Sequence, residues 1–253
     1  MYKKGIIKNT IINFVGKFAS LFAQFFIVTY LIKSIGMDAY GIFVLAFALV
    51  GNADLLEAGF GLSVTKYVAE YNAKGQWKRL LEVINTNFIV MTIIGFIFSA
   101  VLLLINEFLL EKIFIIPAGF IDTTKDLMRI LILFSLIEFW SIAIVRVAEG
   151  FQKYYLLRWI EIFKWLLRAI FTVIAVQSGH GLTGVGMAYL ITGIINLSVL
   201  YFFVFNKTSN LQLNIKLAGK ESFRLLFGFS IWIFLSKSFS FIFYKIDTII
   251  IGM

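Results

Sequence analysis

Cysteine is absent from this sequence, and proline and histidine occur once each. The missing cysteine excludes disulfide bonds, thiolate catalysis and cysteine-ligated zinc. The single histidine, His180, stands between Gly179 and Gly181 without a histidine or cysteine partner, so we interpret it as a loop residue and not as a metal ligand. The sequence also lacks the GxxxxGKS/T, GxSxG and HExxH motifs. These absences favour a protein that is not an enzyme and carries no cofactor.

Charged residues are also scarce, at 15% of the chain, whereas 60% of the residues are apolar and the mean hydropathy is +0.93. This composition excludes an ordinary soluble domain. The apolar runs last about twenty residues, the length of a helix that crosses a bilayer, and a transmembrane barrel would show alternating segments of about ten. We therefore predict an all-α polytopic membrane protein. Its six complete spans lie at 10–33, 39–64, 82–106, 128–149, 155–177 and 183–205, and an incomplete seventh starts near 223.

Basic residues are distributed unequally between the two sides that these spans define. One side carries most of them: Lys3, Lys4, Lys8, Lys66, Lys74, Lys78, Arg79, Arg146, Lys153, Arg158, Lys207, Lys216, Lys220 and Arg224. The other side carries Lys33, Lys112, Lys125 and Arg129. The positive-inside rule predicts a cytoplasmic N-terminus for a protein of the inner (cytoplasmic) membrane. The net charge of +9 then reflects topology and attraction to anionic lipid head groups, not nucleic-acid binding.

The predicted spans divide the chain into three segments. They are an N-terminal six-helix lobe over 1–205, a basic amphipathic cytoplasmic linker over 206–222, and the start of a second lobe over 223–253. The segment FVGKFAS at 14–20 has a weak echo in FLSKSFS at 234–240, which aligns Lys17 with Lys237. The second segment lies six spans further along the chain than the first, so both spans enter the membrane from the same side, as a parallel repeat requires. We therefore expect one lobe of a two-lobed protein, truncated inside its seventh helix.

Ionisable residues inside the predicted spans are candidates for a functional site, because such residues usually face a bundle interior or a water-filled cavity. Glu161, Lys164 and Arg168 follow helical spacing and share one face of the fifth span. On that face Glu161 can neutralise Lys164, and Arg168 is then the charge for which the face offers no acidic residue. The candidate cavity cations are Lys17, Lys164, Arg168, Lys237 and Lys245. The candidates for charge balance or ion coupling are Asp54, Glu57, Glu138 and Asp247.

Simpler interpretations stay open for several of these residues. Lys17 lies near the start of its helix and could extend its side chain back to the lipid head groups. Asp54 and Glu57 could only cap a helix or form a pair, while Arg146 and Glu161 lie close enough to helix ends to be interfacial. A cavity lined by fixed cations nonetheless suits an anionic substrate, above all phosphate or pyrophosphate.

The glycines of GHGLTGVG at 179–186 invite a second phosphate-binding interpretation, as a phosphate loop. However, the segment has no lysine and no preceding strand, both of which such a loop requires. We therefore predict a turn followed by close helix packing.

Four further segments carry a family resemblance: IGMDAYGIF at 35–43, EAGFGLSVTKYVAEY at 57–71, RVAEGFQKYY at 146–155 and DTIIIG at 247–252. In this order they resemble the polysaccharide biosynthesis flippases, which export O-antigen and other lipid-linked oligosaccharides. These flippases belong to the multidrug/oligosaccharidyl-lipid/polysaccharide (MOP) superfamily. The resemblance runs from residue 6 to the last residue. It implies a two-lobed transporter that moves an undecaprenyl-pyrophosphate-linked oligosaccharide from the cytoplasmic to the outer leaflet.

Under this hypothesis Lys17, Lys164, Arg168 and Lys237 attract the pyrophosphate. The implied partners are the lipid-linked oligosaccharide, membrane lipids, and the polymerase and glycosyltransferases of a polysaccharide pathway, with coupling to H⁺ or Na⁺ left open. One alternative is a cation-coupled multidrug exporter of the MATE type, which predicts acidic residues deep in the first helix. That helix has none between Lys8 and Lys33. Another alternative is a fragment or membrane scaffold that transports nothing.

Overall fold

The protein is described by a computed structural model over residues 2–51, 57, 59–108, 110, 116–206 and 211–233, with the backbone alone for 2–15, 107 and 118. Within these ranges the secondary structure is helical and contains no strand, so the predicted all-α polytopic fold is confirmed. The helices are α1 (Tyr2–Ile35), α2 (Met37–Val50), α3 (Phe60–Ala73), α4 (Trp77–Phe108), α5 (Ile121–Gly150), α6 (Tyr154–Gln177), α7 (Gly181–Tyr201) and α8 (220–233).

Four stretches of helix are long and apolar enough to cross a bilayer: Gly16–Ile35, Trp77–Asn106, Ile121–Gly150 and Gly181–Asn206. The last of these includes a π-helical turn at Phe202–Asn206. Helix α6 has 24 residues, or about 36 Å at 1.5 Å per residue, and so is also long enough, although it carries more charge. The observed helices start earlier or end later than the predicted apolar windows. The reason is that backbone hydrogen bonding continues into the polar residues that flank each window.

The segment predicted as one span at 39–64 differs from the prediction. Helix α2 ends at Val50, where the Gly51 N–H donates to the Phe47 carbonyl at 2.6 Å, and α3 begins at Phe60. An apolar window of this length does not show whether the helix inside it is continuous. The predicted residue Asp54 lies between the two helices, outside the described residues.

Helix α5 occupies the centre of the bundle and packs against α2, α3, α4 and α7. Glycines allow the closest of these approaches. A Cβ on Gly186 of α7 would lie 2.9 Å from Leu127, and a Cβ on Gly150 would lie 2.5 Å from Val68 of α3. Small residues at helix crossings are the common way in which membrane helices approach one another.

The turn between α6 and α7 follows the prediction made for the GHGLTGVG segment. Gly179 and Gly181 adopt positive φ angles of 80° and 49°, which side chains with a Cβ rarely adopt. Gly186, further along the same segment, makes the close contact with α5 described above. The predicted turn and close helix packing are therefore confirmed.

The segment that precedes α8 is anchored to the first turns of α4. The Asn85 side chain accepts a hydrogen bond from the Asn214 N–H at 2.6 Å and donates one to the Gln212 carbonyl at 3.1 Å. The Gly219 N–H donates to the Thr86 hydroxyl at 3.2 Å. These contacts hold the described part of the predicted linker against the bundle end that also carries the α3–α4 turn, called the basic end below.

Candidate functional site

A cavity of about 360 Å³ lies between α5, α6 and α7. It extends from the α5–α6 turn, where Glu149 and Tyr154 line it, to Glu138, which is ~16 Å further along α5 at 1.5 Å per residue. Its wall mixes ionisable, polar and apolar side chains. They are Glu138, Ser141, Ile142, Val145, Arg146, Glu149, Tyr154, Leu157, Arg158, Ile160, Glu161, Lys164, Asn196 and Leu200.

The cavity wall formed by α6 follows from the spacing of its charged residues. Arg158, Glu161 and Lys164 recur every three residues, so they lie along one helix face and all reach the cavity. The sequence analysis placed Glu161, Lys164 and Arg168 on one face. The structure brings Glu161 and Lys164 to the cavity, but Arg168 does not line it.

Arg146 is bound on two sides by carboxylates. Its Nε donates to Glu57 Oε1 at 2.6 Å and its Nη2 donates to Glu57 Oε2 at 2.8 Å, which is a two-pronged pair with a side chain that is 1% exposed. Its Nη1 donates to Glu149 Oε2 at 2.9 Å, and the Thr65 hydroxyl contacts the same oxygen at 3.2 Å. Arg146 therefore reaches the cavity with its charge already neutralised.

Arg158 also has a carboxylate partner. Its Nη1 donates to Glu161 Oε2 at 2.6 Å. The sequence analysis paired Glu161 with Lys164 instead, and this pairing is wrong, because the arginine one turn away takes the carboxylate. Gly16 of α1 packs directly on the Arg158 stem, since a Cβ there would lie 2.5 Å from its Cδ. This contact fixes the Arg158 stem against α1.

Lys164 and Glu138, which also line the cavity, take no part in the ion pairs of Arg146 and Arg158. Lys164 forms no ion pair within the described part of the chain, and its ammonium lies 6.0 Å from the Trp165 ring. Among the same residues, Glu138 Oε1 and the Ser141 hydroxyl are buried without a hydrogen-bond partner. Asn196 of α7, which is 7% exposed, lines the same region. The inner end of the cavity thus holds polar groups whose bonding capacity is unused.

Arg168 lies behind the cavity in an aromatic enclosure. The guanidinium carbon is 4.0 Å from the Tyr189 ring, 5.2 Å from the Trp165 ring and 5.3 Å from the Phe134 ring. Its Nε donates to the Thr192 hydroxyl at 3.2 Å, while its Nη2 is buried without a partner among the described residues. Arg168 is 3% exposed and makes no contact with the cavity.

The turn between α5 and α6 carries a further lysine beside the cavity mouth. Burial lowers the pKa of the Lys153 ammonium, which lies 5.8 Å from the Phe151 ring and precedes the lining residue Tyr154. This lysine therefore holds its proton less firmly than an exposed one.

The remaining candidates from the sequence are one described residue and four that the structure does not describe. Lys17 is exposed on α1, next to the glycine that packs on Arg158, and does not line the cavity. Asp54, Lys237, Lys245 and Asp247 lie outside the described residues, as does the FLSKSFS segment. Their roles, together with those of Glu57, Glu138, Lys164 and Arg168, stay predictions.

Several lining residues were not among the candidates from the sequence: Arg146, Glu149, Arg158, Glu161 and Asn196. Of these, Arg146 and Glu161 were interpreted as interfacial because they stand near helix ends. Asn196 carried a usable signal, since it is an amide in the middle of an apolar span.

Comparison with known proteins identifies the fold. A MOP superfamily transporter from Pyrococcus furiosus, described as having a binding pocket of reverse polarity that suggests a different function, matches with a TM-score of 0.77 at 15% identity over 97% of this chain. An outward-facing multidrug resistance MATE family transporter of the same superfamily matches with a TM-score of 0.80 at 15% identity over 98% of this chain. The chain spans 55% and 56% of the lengths of these two structures.

At this identity the two structures show a shared fold alone. A search of curated protein sequences found no match. Residues 6–253 match the family described as "Polysaccharide biosynthesis protein". This match covers nearly the whole chain, and the chain therefore belongs to the polysaccharide biosynthesis protein family.

Proposed function

We propose that this chain serves in a flippase that moves an undecaprenyl-pyrophosphate-linked oligosaccharide from the cytoplasmic to the outer leaflet. The observation that carries the proposal is a polar, charged cavity inside the membrane-spanning bundle of a polysaccharide biosynthesis family member. A glycan and a pyrophosphate cannot cross hydrocarbon unaided, because each buried polar group or charge without a partner costs several kcal/mol, on the order of 2–7 for a hydroxyl. A polar cavity in the bundle lowers that cost.

Specific residues supply the attraction for the pyrophosphate in this proposal. Lys164 faces the cavity without an ion-pair partner among the described residues, and Lys17 is exposed on the neighbouring α1. Arg168 adds a fixed positive field from behind the wall. Lys237 and Lys245, which lie outside the described residues, contribute further charges from the predicted seventh span in this proposal.

The carboxylates have a second role in the proposal. Glu57, Glu138, Asp54 and Asp247 balance the cations or couple transport to H⁺ or Na⁺. Of these, Glu138 is the best placed, because it lines the cavity with one oxygen unbonded. The protein acts as a transporter and not as an enzyme.

The proposed setting follows from the distribution of basic residues. The basic end of the bundle faces the cytoplasm, and the protein lies in the inner membrane with its N-terminus on that side. The lipid-linked oligosaccharide is made there by glycosyltransferases and is delivered outside to a polymerase.

Binding of the lipid carrier tests the proposal directly. The chain is reconstituted in nanodiscs, and native mass spectrometry compares undecaprenyl pyrophosphate carrying the oligosaccharide with undecaprenol of the same length. We expect retention of the pyrophosphate lipid and roughly tenfold weaker binding by Lys164→Ala, the loss of one charge-assisted contact. Lys33→Ala, at the far end of α1, is the matched control and should bind as the parent does. Equal binding of both lipids would refute the proposal.

The multidrug alternative is favoured by the fold shared with a MATE family transporter. A second ligand in the same assay, the cationic dye ethidium, distinguishes this alternative from the flippase proposal. The alternative requires saturable ethidium binding that Glu138→Gln weakens. The flippase proposal requires that ethidium leave the binding of the pyrophosphate lipid unchanged.

A further inference from the structure

The formal charges that line the cavity cancel. Its carboxylates are matched one for one by its cations, the full set being Glu138, Glu149, Glu161, Arg146, Arg158 and Lys164. Moreover, both guanidinium groups already bind carboxylates at 2.6–2.9 Å. A ligand with several negative charges would have to displace those carboxylates and repel them. The inner cavity is therefore not organised as an anion site.

The groups left available at the inner end are suited to hydroxyls. Glu138 Oε1 is a buried acceptor without a partner among the described residues, and in the same part of the chain the Ser141 hydroxyl, on a residue that is 3% exposed, is also unpartnered. Asn196 adds an amide, which both donates and accepts. Each sugar hydroxyl also donates one hydrogen bond and accepts others, so a ring of hydroxyls can satisfy all three side chains.

The remaining wall and the size of the cavity agree with such a ligand. Ile142, Leu157 and Leu200 present apolar surface that can cover the C–H faces of a sugar ring. The volume of about 360 Å³ lies at the small end of the range of about 300–1,000 Å³ that is typical of small-molecule pockets. The cavity thus has room for a sugar ring.

We propose that the cavity between α5, α6 and α7 is a subsite for a neutral sugar ring, whose hydroxyls bind Glu138, Ser141 and Asn196. This inference rests on the proposed flippase function and divides the substrate between two places. The sugar enters the electrically neutral cavity, and the pyrophosphate stays outside it, near exposed cations such as Lys17. Lys164 lines the cavity from α6.

Direct binding of free sugars to the purified full chain tests the subsite. Saturation-transfer NMR measures glucose, galactose and N-acetylglucosamine, each alone and in competition with inorganic pyrophosphate. We expect at least one sugar to bind saturably and pyrophosphate not to displace it. Glu138→Gln should weaken the binding by about tenfold, the loss of a charge-assisted hydrogen bond.

A pair of serine variants supplies the matched control. Ser141→Ala removes the hydroxyl inside the cavity, whereas Ser198→Ala removes an exposed hydroxyl on α7 that bonds to the Ile194 carbonyl. Ser141→Ala should weaken sugar binding several-fold and Ser198→Ala should not change it. If Glu138→Gln fails to fold, as judged by its circular dichroism, this serine pair decides the question alone.

Three results would overturn the subsite: no saturable binding of any of the sugars, equal effects of the two serine variants, or displacement of sugar by pyrophosphate. The lipid assay separates these failures from failure of the proposed function. Retention of undecaprenyl pyrophosphate without any sugar binding leaves the flippase proposal standing and removes the subsite. Sugar binding without discrimination between pyrophosphate lipid and undecaprenol supports the subsite and removes the pyrophosphate proposal.

Discussion

Arg146 donates hydrogen bonds to both oxygens of the Glu57 carboxylate, from Nε to Oε1 at 2.6 Å and from Nη2 to Oε2 at 2.8 Å. The two residues are 89 positions apart, so the pair joins the residues just before α3 to the end of α5. Glu57 is 1% exposed, and an ion at such a depth is stable only while its partner is present. A structural role for Glu57 therefore stands beside the proposed role in charge balance.

Removal of one partner should destabilise the bundle markedly. We expect Arg146→Ala to lower the free energy of unfolding by about 3 kcal/mol, because the buried Glu57 carboxylate loses both hydrogen bonds of its two-pronged pair with Arg146. The measurement is chemical denaturation of the detergent-solubilised chain, followed by tryptophan fluorescence. Arg129→Ala is the control, since Arg129 pairs with Asp126 on the surface and should change the value by less than about 0.5 kcal/mol.

A double-mutant cycle shows whether this cost belongs to the pair. The variant with both Glu57→Gln and Arg146→Ala should be more stable than the sum of the single changes implies, because the buried Glu57 charge is removed together with the guanidinium that binds it. Strictly additive effects would contradict the coupling of Glu57 to Arg146.

Gly61 makes room for the same ion pair, which leads to a second prediction. A Cβ at this position would overlap Glu57 Oε1 and lie 2.6 Å from Arg146 Nε. We expect Gly61→Ala to lower the free energy of unfolding by about 1–3 kcal/mol, the cost of overpacking. Gly41→Ala in α2 is the control, because nothing lies within 4 Å of its Cβ. It should be neutral or stabilising by up to about 1 kcal/mol.

The sequence contained enough information for the fold, for physical reasons that are local. The length of each apolar run determines where a helix can cross the membrane, and the glycines at 179 and 181 determine a turn. Helical spacing alone placed Glu161 and Lys164 on one face, and both reach the cavity.

The ion-pair partners of the charged residues could not be predicted from such local patterns. Arg146 binds Glu57 across 89 positions, which depends on how α3 and α5 pack. Glu161 had two cations within reach on its own helix, and spacing does not choose between them. Two of the three rings around Arg168, Phe134 and Tyr189, come from other helices, so the sequence of α6 alone does not show that the guanidinium is enclosed.

The charge and the volume of Arg168 can be separated by two substitutions. Arg168→Met keeps most of the side-chain volume and removes the charge. We expect its free energy of unfolding to lie within about 1 kcal/mol of the parent value, because the lost cation–π contacts are offset by the removal of a desolvated charge. Arg168→Ala leaves a void among the rings and should cost about 2–5 kcal/mol relative to Arg168→Met.

Binding of the pyrophosphate lipid by these variants then isolates the electrostatic role. Arg168→Met should bind it more weakly than the parent despite equal stability. Unchanged binding would show that Arg168 only fills space. If Arg168→Met is as unstable as Arg168→Ala, the fold itself depends on the charge.

Asn85 should protect the segment that precedes α8 from proteolysis. Its side chain bonds to the backbone of Gln212 and Asn214, and Lys216 follows directly in the same segment. Asn85→Leu cannot form these bonds, so the Gln212 carbonyl and the Asn214 N–H lose the side chain that holds them to α4. We expect trypsin to cleave after Lys216 several-fold faster in this variant, measured by mass spectrometry of timed digests. Asn72→Ala, an exposed amide in the last turn of α3, should digest at the parent rate. Equal rates for Asn85→Leu and the parent would show that other contacts, such as that of Gly219 with Thr86, hold the segment in place.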